Sequence, residues 1–155
     1  MGQFCSLSEV IETLKRERQK KSKIVFTNGC FDLLHVGHVR YLQEAKKLGN
    51  FLVVALNSDA SVRKLKGPQR PIQNENDRAE ILAALGCVDA TILFSEDTPA
   101  EIIQKIRPDV LVKGGDWKIE QIVGADFVQS YGGTVQSLNF VDGKSTTRII
   151  EKSRT

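Results

Sequence analysis

Short apolar runs alternate along this chain with segments in which apolar residues recur every three or four positions. Residues 23–27 (KIVFT), 51–56 (FLVVAL), 88–94 (VDATILF), 109–112 (DVLV) and 134–138 (TVQSL) are rich in β-branched or apolar side chains and have the length of strands. Between them, 98–106 predicts a helix, with Thr98 as N-cap, Pro99 in the first helical position, Glu101 as capping-box acceptor, and Ile102, Ile103 and Ile106 on one face. Ser6 and Glu9 predict a second capping box ahead of Val10, Ile11 and Leu14, and 38–48 and 76–85 predict two further helices. Strands this apolar have no face for water, so they belong to a parallel sheet covered on both sides. Right-handed crossovers then make a doubly wound α/β domain. Ligands in such sheets bind beyond the carboxyl ends of the strands, which is where unusual residues should fall.

Composition narrows the function classes. The chain has 155 residues, 41% hydrophobic and 26% charged, with 4 Pro: one compact unit with a real core, not a disordered, collagenous or coiled-coil chain. No apolar stretch approaches the ~20 residues that span a bilayer, and the start MGQFCSLSEV lacks a secretory h-region, so a cytoplasmic location is expected. Cys5, Cys30 and Cys87 form no CxxC pair and read as free thiols, with no metal site expected. With 22 basic against 19 acidic residues, the net charge of +3 is too low for a protein that coats nucleic acid; a bound anion should be small. The basic run 15–23 reads as the solvated end of the first helix, and residues 1–22 as an N-terminal helical segment ahead of the domain at 23–155.

The chemistry concentrates after the first of these strands, in Thr27-Asn28-Gly29-Cys30-Phe31-Asp32-Leu33-Leu34-His35-Val36-Gly37-His38, which opens into a helix. Strand, glycine-bearing turn and helix N-terminus together present unpaired N–H groups and a positive dipole end to a phosphate. Neither GxxxxGK[ST] nor GxGxxG is present. Instead the chain's 2 histidines stand three residues apart, with Gly37 between them allowing close backbone approach. They can aim at one anion, or simply cap and pack around a helix start.

Further along, Arg63, Lys64, Lys66 and Arg70 crowd a segment with Gly67, Pro68 and Pro71, read as a mobile loop able to close over a polyphosphate or as ordinary solvated charge. Arg78 falls in a first helical turn, where the dipole disfavours a cation, so it faces either an anionic partner or Glu75 or Asp77. In Lys113-Gly114-Gly115-Asp116-Trp117, two glycines admit a ligand and Trp117 either stacks on a sugar or base or packs in the core. Ser145-Thr146-Thr147 places hydroxyls at a helix start.

The stretch TNGCFDLLHVGH resembles the HxGH nucleotidyltransferase superfamily, and especially the heptose 1-phosphate adenylyltransferases of lipopolysaccharide sugar synthesis. The likeness continues through NSDASVR, LKGPQRP, VKGGDW and NFVDGKSTT, over roughly residues 23 to 150. It implies a single-domain, Rossmann-like nucleotidyltransferase fold, and transfer of the adenylyl group of ATP to D-glycero-β-D-manno-heptose 1-phosphate with release of pyrophosphate. On that resemblance His35, His38 and Lys66 are the catalytic candidates. Thr27, Asn28, Gly29, Cys30, Phe31, Gly37, Arg70, Lys113, Gly114, Ser145, Thr146 and Thr147 would bind nucleotide. Asp32, Asn57, Arg63, Arg78, Asp116 and Trp117 would bind the sugar phosphate, with Asp32 and Asp116 also candidates for orienting Mg²⁺ carried by ATP. Related enzymes are often fused to a sugar kinase; 155 residues leave no room for one, so a separate kinase is expected, and the resemblance favours a homodimer. Two other readings stay open: a cytidylyltransferase acting on glycerol 3-phosphate or a related alcohol phosphate, and a noncatalytic nucleotide-binding module.

Overall fold

A computed structural model describes residues 1–139 and 143–154, so Phe140, Val141 and Asp142 of the NFVDGKSTT stretch lie outside the described residues. The chain runs β1 (Gln3–Phe4), α1 (Leu7–Gln19), β2 (Ile24–Gly29), α2 (Val36–Lys46), β3 (Phe51–Asn57), α3 (Asp59–Lys66), α4 (Glu75–Ala83), β4 (Ala90–Phe94), α5 (Ala100–Ile106), β5 (Val110–Gly114), a 3₁₀ turn (Ile119–Gln121), α6 (Ala125–Ser130), β6 (Thr134–Leu138) and α7 (Thr146–Ser153). The strands form one parallel sheet in the order β1-β4-β3-β2-β5-β6. The chain winds outward from β2 through β3 to β4, then returns to the other side of β2 with β5. The switch point therefore lies between β2 and β5, and a crevice opens there beyond their carboxyl ends.

Both faces are covered, as the apolar strands required. Val10 and Leu14 of α1, Ile103 and Ile106 of α5 and Val128 of α6 pack on Phe26, Ile92 and Leu111. On the other face Tyr41, Leu42 and Ala45 of α2 and Ala79 and Leu82 of α4 pack on Val25, Val54 and Val112. Residues 1–22 join this same body, since β1 pairs with β4 and α1 supplies core side chains. Strand starts are pinned by side chains: Asp109 Oδ2 accepts from Ile24 N at 2.7 Å, Asp89 Oδ2 from Leu52 N at 2.6 Å, and Asn50 Oδ1 from Lys23 N at 2.8 Å. Among the described residues no helix is long and apolar enough to cross a membrane.

Two local expectations need correction, and two short elements went unread. The capping box of Ser6 and Glu9 forms, but the one at α5 does not: Pro99 occupies the N-cap position, no side chain caps the helix, and Glu101 pairs with Lys105 at 2.6 Å instead. Arg63, Lys64 and Lys66 lie on a helix rather than a loop. Ser58 caps α3 by accepting from Ser61 N, Asp59 occupies its first turn and the cations its last, so it is held by caps and dipole rather than by an apolar stripe. Two-residue β1 and six-residue α6 carry too little periodicity to be read from the chain.

Ile103 is fully buried between α5 and the sheet. Ile103→Ala should cost about 2–5 kcal/mol of stability, read from urea denaturation.

Candidate functional site

Strand β2 delivers its end to the crevice, and residues 30–35 turn the chain into α2. Phe31 takes a left-handed backbone conformation at φ 47° to make the turn. His35 is the N-cap of α2, and its Nδ1 accepts from Gly37 N at 3.1 Å. That bond sets the tautomer: with Nδ1 as acceptor, the neutral ring carries its proton on Nε2. A Cβ on Gly37 would lie 2.8 Å from His35 Nδ1, so glycine is what lets the ring fold back over the helix start. One turn on, the His38 ring stacks on His35 with centroids 3.8 Å apart and planes 24° off parallel, while Phe31 meets His38 edge-on at 5.2 Å.

This wedge keeps both imidazoles neutral near pH 7. Burial, helped by His35 and Lys66, pushes His38 down to about 4, and its Nδ1 is buried without a hydrogen-bond partner. Burial and Lys144 lower His35 as well. The two rings border different spaces. His38 lines a cavity of about 370 Å³ floored by Asn28, Gly29, Cys30 and Phe31 and walled by Asn57, Lys66, Lys113, Gly114 and Thr146. His35 lines a groove of about 460 Å³ with Lys144, Ser145 and Arg148 at the start of α7. The stacked pair thus stands as a partition between the two.

Ser145 caps α7 by accepting from Arg148 N at 3.2 Å, while Thr146 Oγ1 donates to Leu33 O at 2.9 Å and so ties α7 to the loop that precedes His35. Thr147 is exposed. Lys113, half-buried at the end of β5, has its pKa lowered by burial, and its Nζ lies 5.9 Å from the centre of the Trp117 ring. Trp117 is 47% exposed, so it is not a core side chain; its indole N–H donates to Gly114 O at 3.1 Å. Asp116 and Arg63 are exposed and line neither space.

Several polar residues expected at the ligand are consumed by the protein. Thr27 is buried with its hydroxyl 2.5 Å from Tyr41 Oη. The Asn57 side chain donates to Ser61 Oγ at 3.0 Å, though it also borders the cavity. Asp32 is 1% exposed and accepts from Arg70 Nε at 2.6 Å, Ile72 N at 2.8 Å and Gln73 N at 3.0 Å. Burial alone would raise the Asp32 pKa, but those amides and the guanidinium hold it below the usual carboxylate range. Asp32 borders the cavity while its carboxylate pins the 70–73 segment, and Arg70, turned toward it, does not line the cavity.

Arg78 lies inside the protein. It is 1% exposed and lines neither space. Its guanidinium donates to Cys30 O at 2.6 Å, Asn57 O at 2.9 Å, Gln73 O at 3.1 Å and Asp59 Oδ1 at 2.8 Å. Neither Glu75 nor Asp77 holds it; Glu75 instead accepts from Asp59 N at 2.7 Å. The dipole argument identified an unusual cation correctly and misplaced its anion.

Sequence reasoning missed Asp97, Thr98 and Val123 on the cavity wall and Lys144 and Arg148 in the groove. Asp97 and Thr98 follow a strand's carboxyl end, a signal that could have found them, but the helix-capping role assigned to Thr98 absorbed it.

Arg78→Met should destabilise the fold by about 3–5 kcal/mol, because it strands a carboxylate and three carbonyls; denaturant titration of the ligand-free protein measures it. The His38 pKa lies below the unfolded value of 6.5, so the unfolded chain binds the extra proton first. That contribution to stability is intact above pH 6.5 and fades as pH falls toward about 4. Denaturation across this range should show a slope that His38→Asn flattens, and histidine NMR should give a midpoint near 4 for His38.

Comparison with known proteins places this site in a family. The cytidylyltransferase-like family model matches residues 26–152. The chain is 59% identical over 147 residues to the bifunctional protein HldE of Syntrophotalea carbinolica, an alignment that covers 95% of this chain and 29% of that protein. It is 58% identical over 150 residues to HldE of Geotalea uraniireducens, covering 97% and 31%. The chain thus spans about three tenths of the length of these curated relatives. Among solved structures, the lipopolysaccharide core biosynthesis protein of Thermoplasma volcanium superposes with a TM-score of 0.62 at 32% identity, over 79% of this chain and 99% of that one. The HxGH wedge at the β2–α2 turn, the doubly wound sheet and a family model matched over most of the length agree: this chain belongs to the cytidylyltransferase-like family.

Proposed function

We propose that this chain is a nucleotidyltransferase that moves the adenylyl group of ATP onto D-glycero-β-D-manno-heptose 1-phosphate, releasing pyrophosphate and the ADP-sugar used for lipopolysaccharide core synthesis. The observation that carries the reading is the stacked His35–His38 partition between two spaces that both border helix N-termini. In-line displacement at a phosphorus needs the attacking oxygen on one side and the leaving oxygen on the other. A partition of donors with an anion-binding space on each side has that shape. The resemblance in LKGPQRP, VKGGDW and DGKSTT supports the heptose acceptor, and the named role of the Thermoplasma protein points to the same pathway.

The reaction asks little covalent chemistry of the protein. A phosphate monoester has its second pKa near ~6, so the attacking oxygen of the sugar phosphate is already ionised at neutral pH and needs no general base. That oxygen forms a bond to the α-phosphorus; the bond from the α-phosphorus to the bridging oxygen breaks, and pyrophosphate leaves with the electron pair. Catalysis then consists of positioning and charge stabilisation. Neutral His35 and His38 donate N–H groups to oxygens that gain charge. Lys66 and Lys113, on the cavity walls, offset the acceptor phosphate and the α-phosphate, and Lys144, Arg148 and the first amides of α7 face the departing pyrophosphate.

The enzymes of this family use Mg²⁺ with the nucleotide. Among the described residues no three His, Cys, Asp or Glu side chains converge as a ligand set, and Asp32 is committed to Arg70 and two amides. The described residues thus do not form a cage for the ion. The acceptor, a sugar 1-phosphate, is the product of a sugar kinase.

Purified protein with Mg²⁺, offered ATP or CTP against heptose 1-phosphate or glycerol 3-phosphate, should release pyrophosphate with ATP and heptose 1-phosphate. Release with CTP and glycerol 3-phosphate alone would replace the substrate assignment, and silence in every arm would leave only a binding module. His38→Ala should lower turnover ~100–1000-fold while circular dichroism stays unchanged.

A further inference from the structure

The 370 Å³ cavity is not uniform. Around His38, Lys66, Lys113 and Thr146 it is cationic or lined by helix-start donors, as two polyanions require. Away from the histidines, beyond the end of β4, the wall changes character. Asp97 brings a carboxylate and Thr98 a hydroxyl, with Pro99 closing the rim. A carboxylate beside a site for two phosphates is a liability unless the ligand portion near it carries no phosphate. Ionised Asp only accepts hydrogen bonds, and hydroxyl groups are the donors a sugar offers it.

The direction of the cavity assigns its ends. Lys113 and Gly114 end β5 on one wall of the cavity, where the nucleotide's phosphates belong if the transfer reading is right. The β4 side is left for the other substrate. Asp97 Oδ1 accepts from Lys64 Nζ at 3.1 Å, a bond from the last turn of α3 to the segment after β4. Both side chains are well exposed, so this pair contributes little to stability and yields readily to a ligand. Thr98 Oγ1 reaches Ala100 N only at 3.5 Å and is not committed as a cap, which explains why α5 starts without one.

We infer that the segment after β4, through the Asp97 carboxylate and the Thr98 hydroxyl, contacts the hydroxyl groups of the acceptor sugar and selects a polyol phosphate over a smaller alcohol phosphate. The inference rests on the transfer reading above and names the acceptor-selecting wall of that same site. It assigns Asp97 and Thr98 to the acceptor sugar and leaves the nucleotide to the β5 side. A carboxylate–hydroxyl bond is charge-assisted, so removing it should weaken acceptor binding by about ten- to a hundred-fold.

The test is steady-state kinetics of pyrophosphate release by wild type, Asp97→Ala, Asp97→Asn and Thr98→Val, varying ATP and heptose 1-phosphate separately. Both residues lie on the rim outside the core, and circular dichroism checks that each variant is folded. The expected result is a KM for heptose 1-phosphate raised about ten- to a hundred-fold in Asp97→Ala, less in Asp97→Asn, with the KM for ATP unchanged. Selectivity for heptose 1-phosphate over glycerol 3-phosphate should fall in parallel. An unchanged KM for the sugar phosphate, or an equal rise in the KM for ATP, overturns this inference and leaves the transfer reading standing. A wild-type protein that turns over no acceptor overturns both.

Discussion

Arg78 places a full positive charge where water cannot reach it, and the architecture of the site follows from how that charge is held. Its donors reach the carbonyls of Cys30, Asn57 and Gln73 and the Asp59 carboxylate. Those acceptors come from the loop after β2, the end of β3, the segment before α4 and the first turn of α3. A guanidinium so buried is tolerable only when its acceptors stay in place. The requirement therefore runs both ways: the fold must satisfy Arg78, and satisfying Arg78 fixes the floor of the cavity. Asp32 repeats the arrangement with the signs reversed, a buried carboxylate holding Arg70 and the amides of Ile72 and Gln73. Two inward charges, one of each sign, thus brace the turn that carries the histidines.

This bracing is what separates structural from chemical charge here. Six of the charged residues near the crevice are Arg, Lys or Asp in the segments that follow strands or open helices, with nothing in their local sequence to tell them apart. Arg78 and Asp32 are buried and bonded to protein groups, and Arg70 turns toward Asp32. Lys66, Lys113 and Lys144 face the two spaces beside the imidazoles. Backbone acceptors decide the difference. Cys30 and Asn57 turn their carbonyls inward where strands end and Gln73 does so ahead of α4, and a planar fork with several donors answers them better than an ammonium.

Much of the fold was legible because its strands are apolar on both faces and leave no choice but a covered parallel sheet. The histidine turn was legible because HxGH follows a strand and opens a helix. The charge pairings that escaped share one cause: they are set by contacts between segments distant in sequence. The partner of Arg78 is 19 residues away, and those of Asp32 about 40 away. No local spacing encodes such pairings. Helix α3 escaped for a different reason, being short and held by Ser58, its dipole and its ends rather than by an apolar stripe. Thr98 shows the opposite error, a locally plausible cap that the tertiary structure leaves open to the cavity.

The neutrality of the imidazole pair has a consequence for how the site handles charge. Stacked at 3.8 Å, the two rings cannot both be cations without repelling each other, and burial already disfavours the first proton on His38. His35 is further restrained because protonating Nδ1 would displace the Gly37 amide. In the proposed transfer the permanent charge is therefore carried by lysines on the walls and by helix starts, while the imidazoles would supply directed N–H groups between them. Neutral rings can donate without adding charge of their own, so in the proposed reaction attraction of the two anions would fall to the lysines and helix starts and direction to the imidazoles.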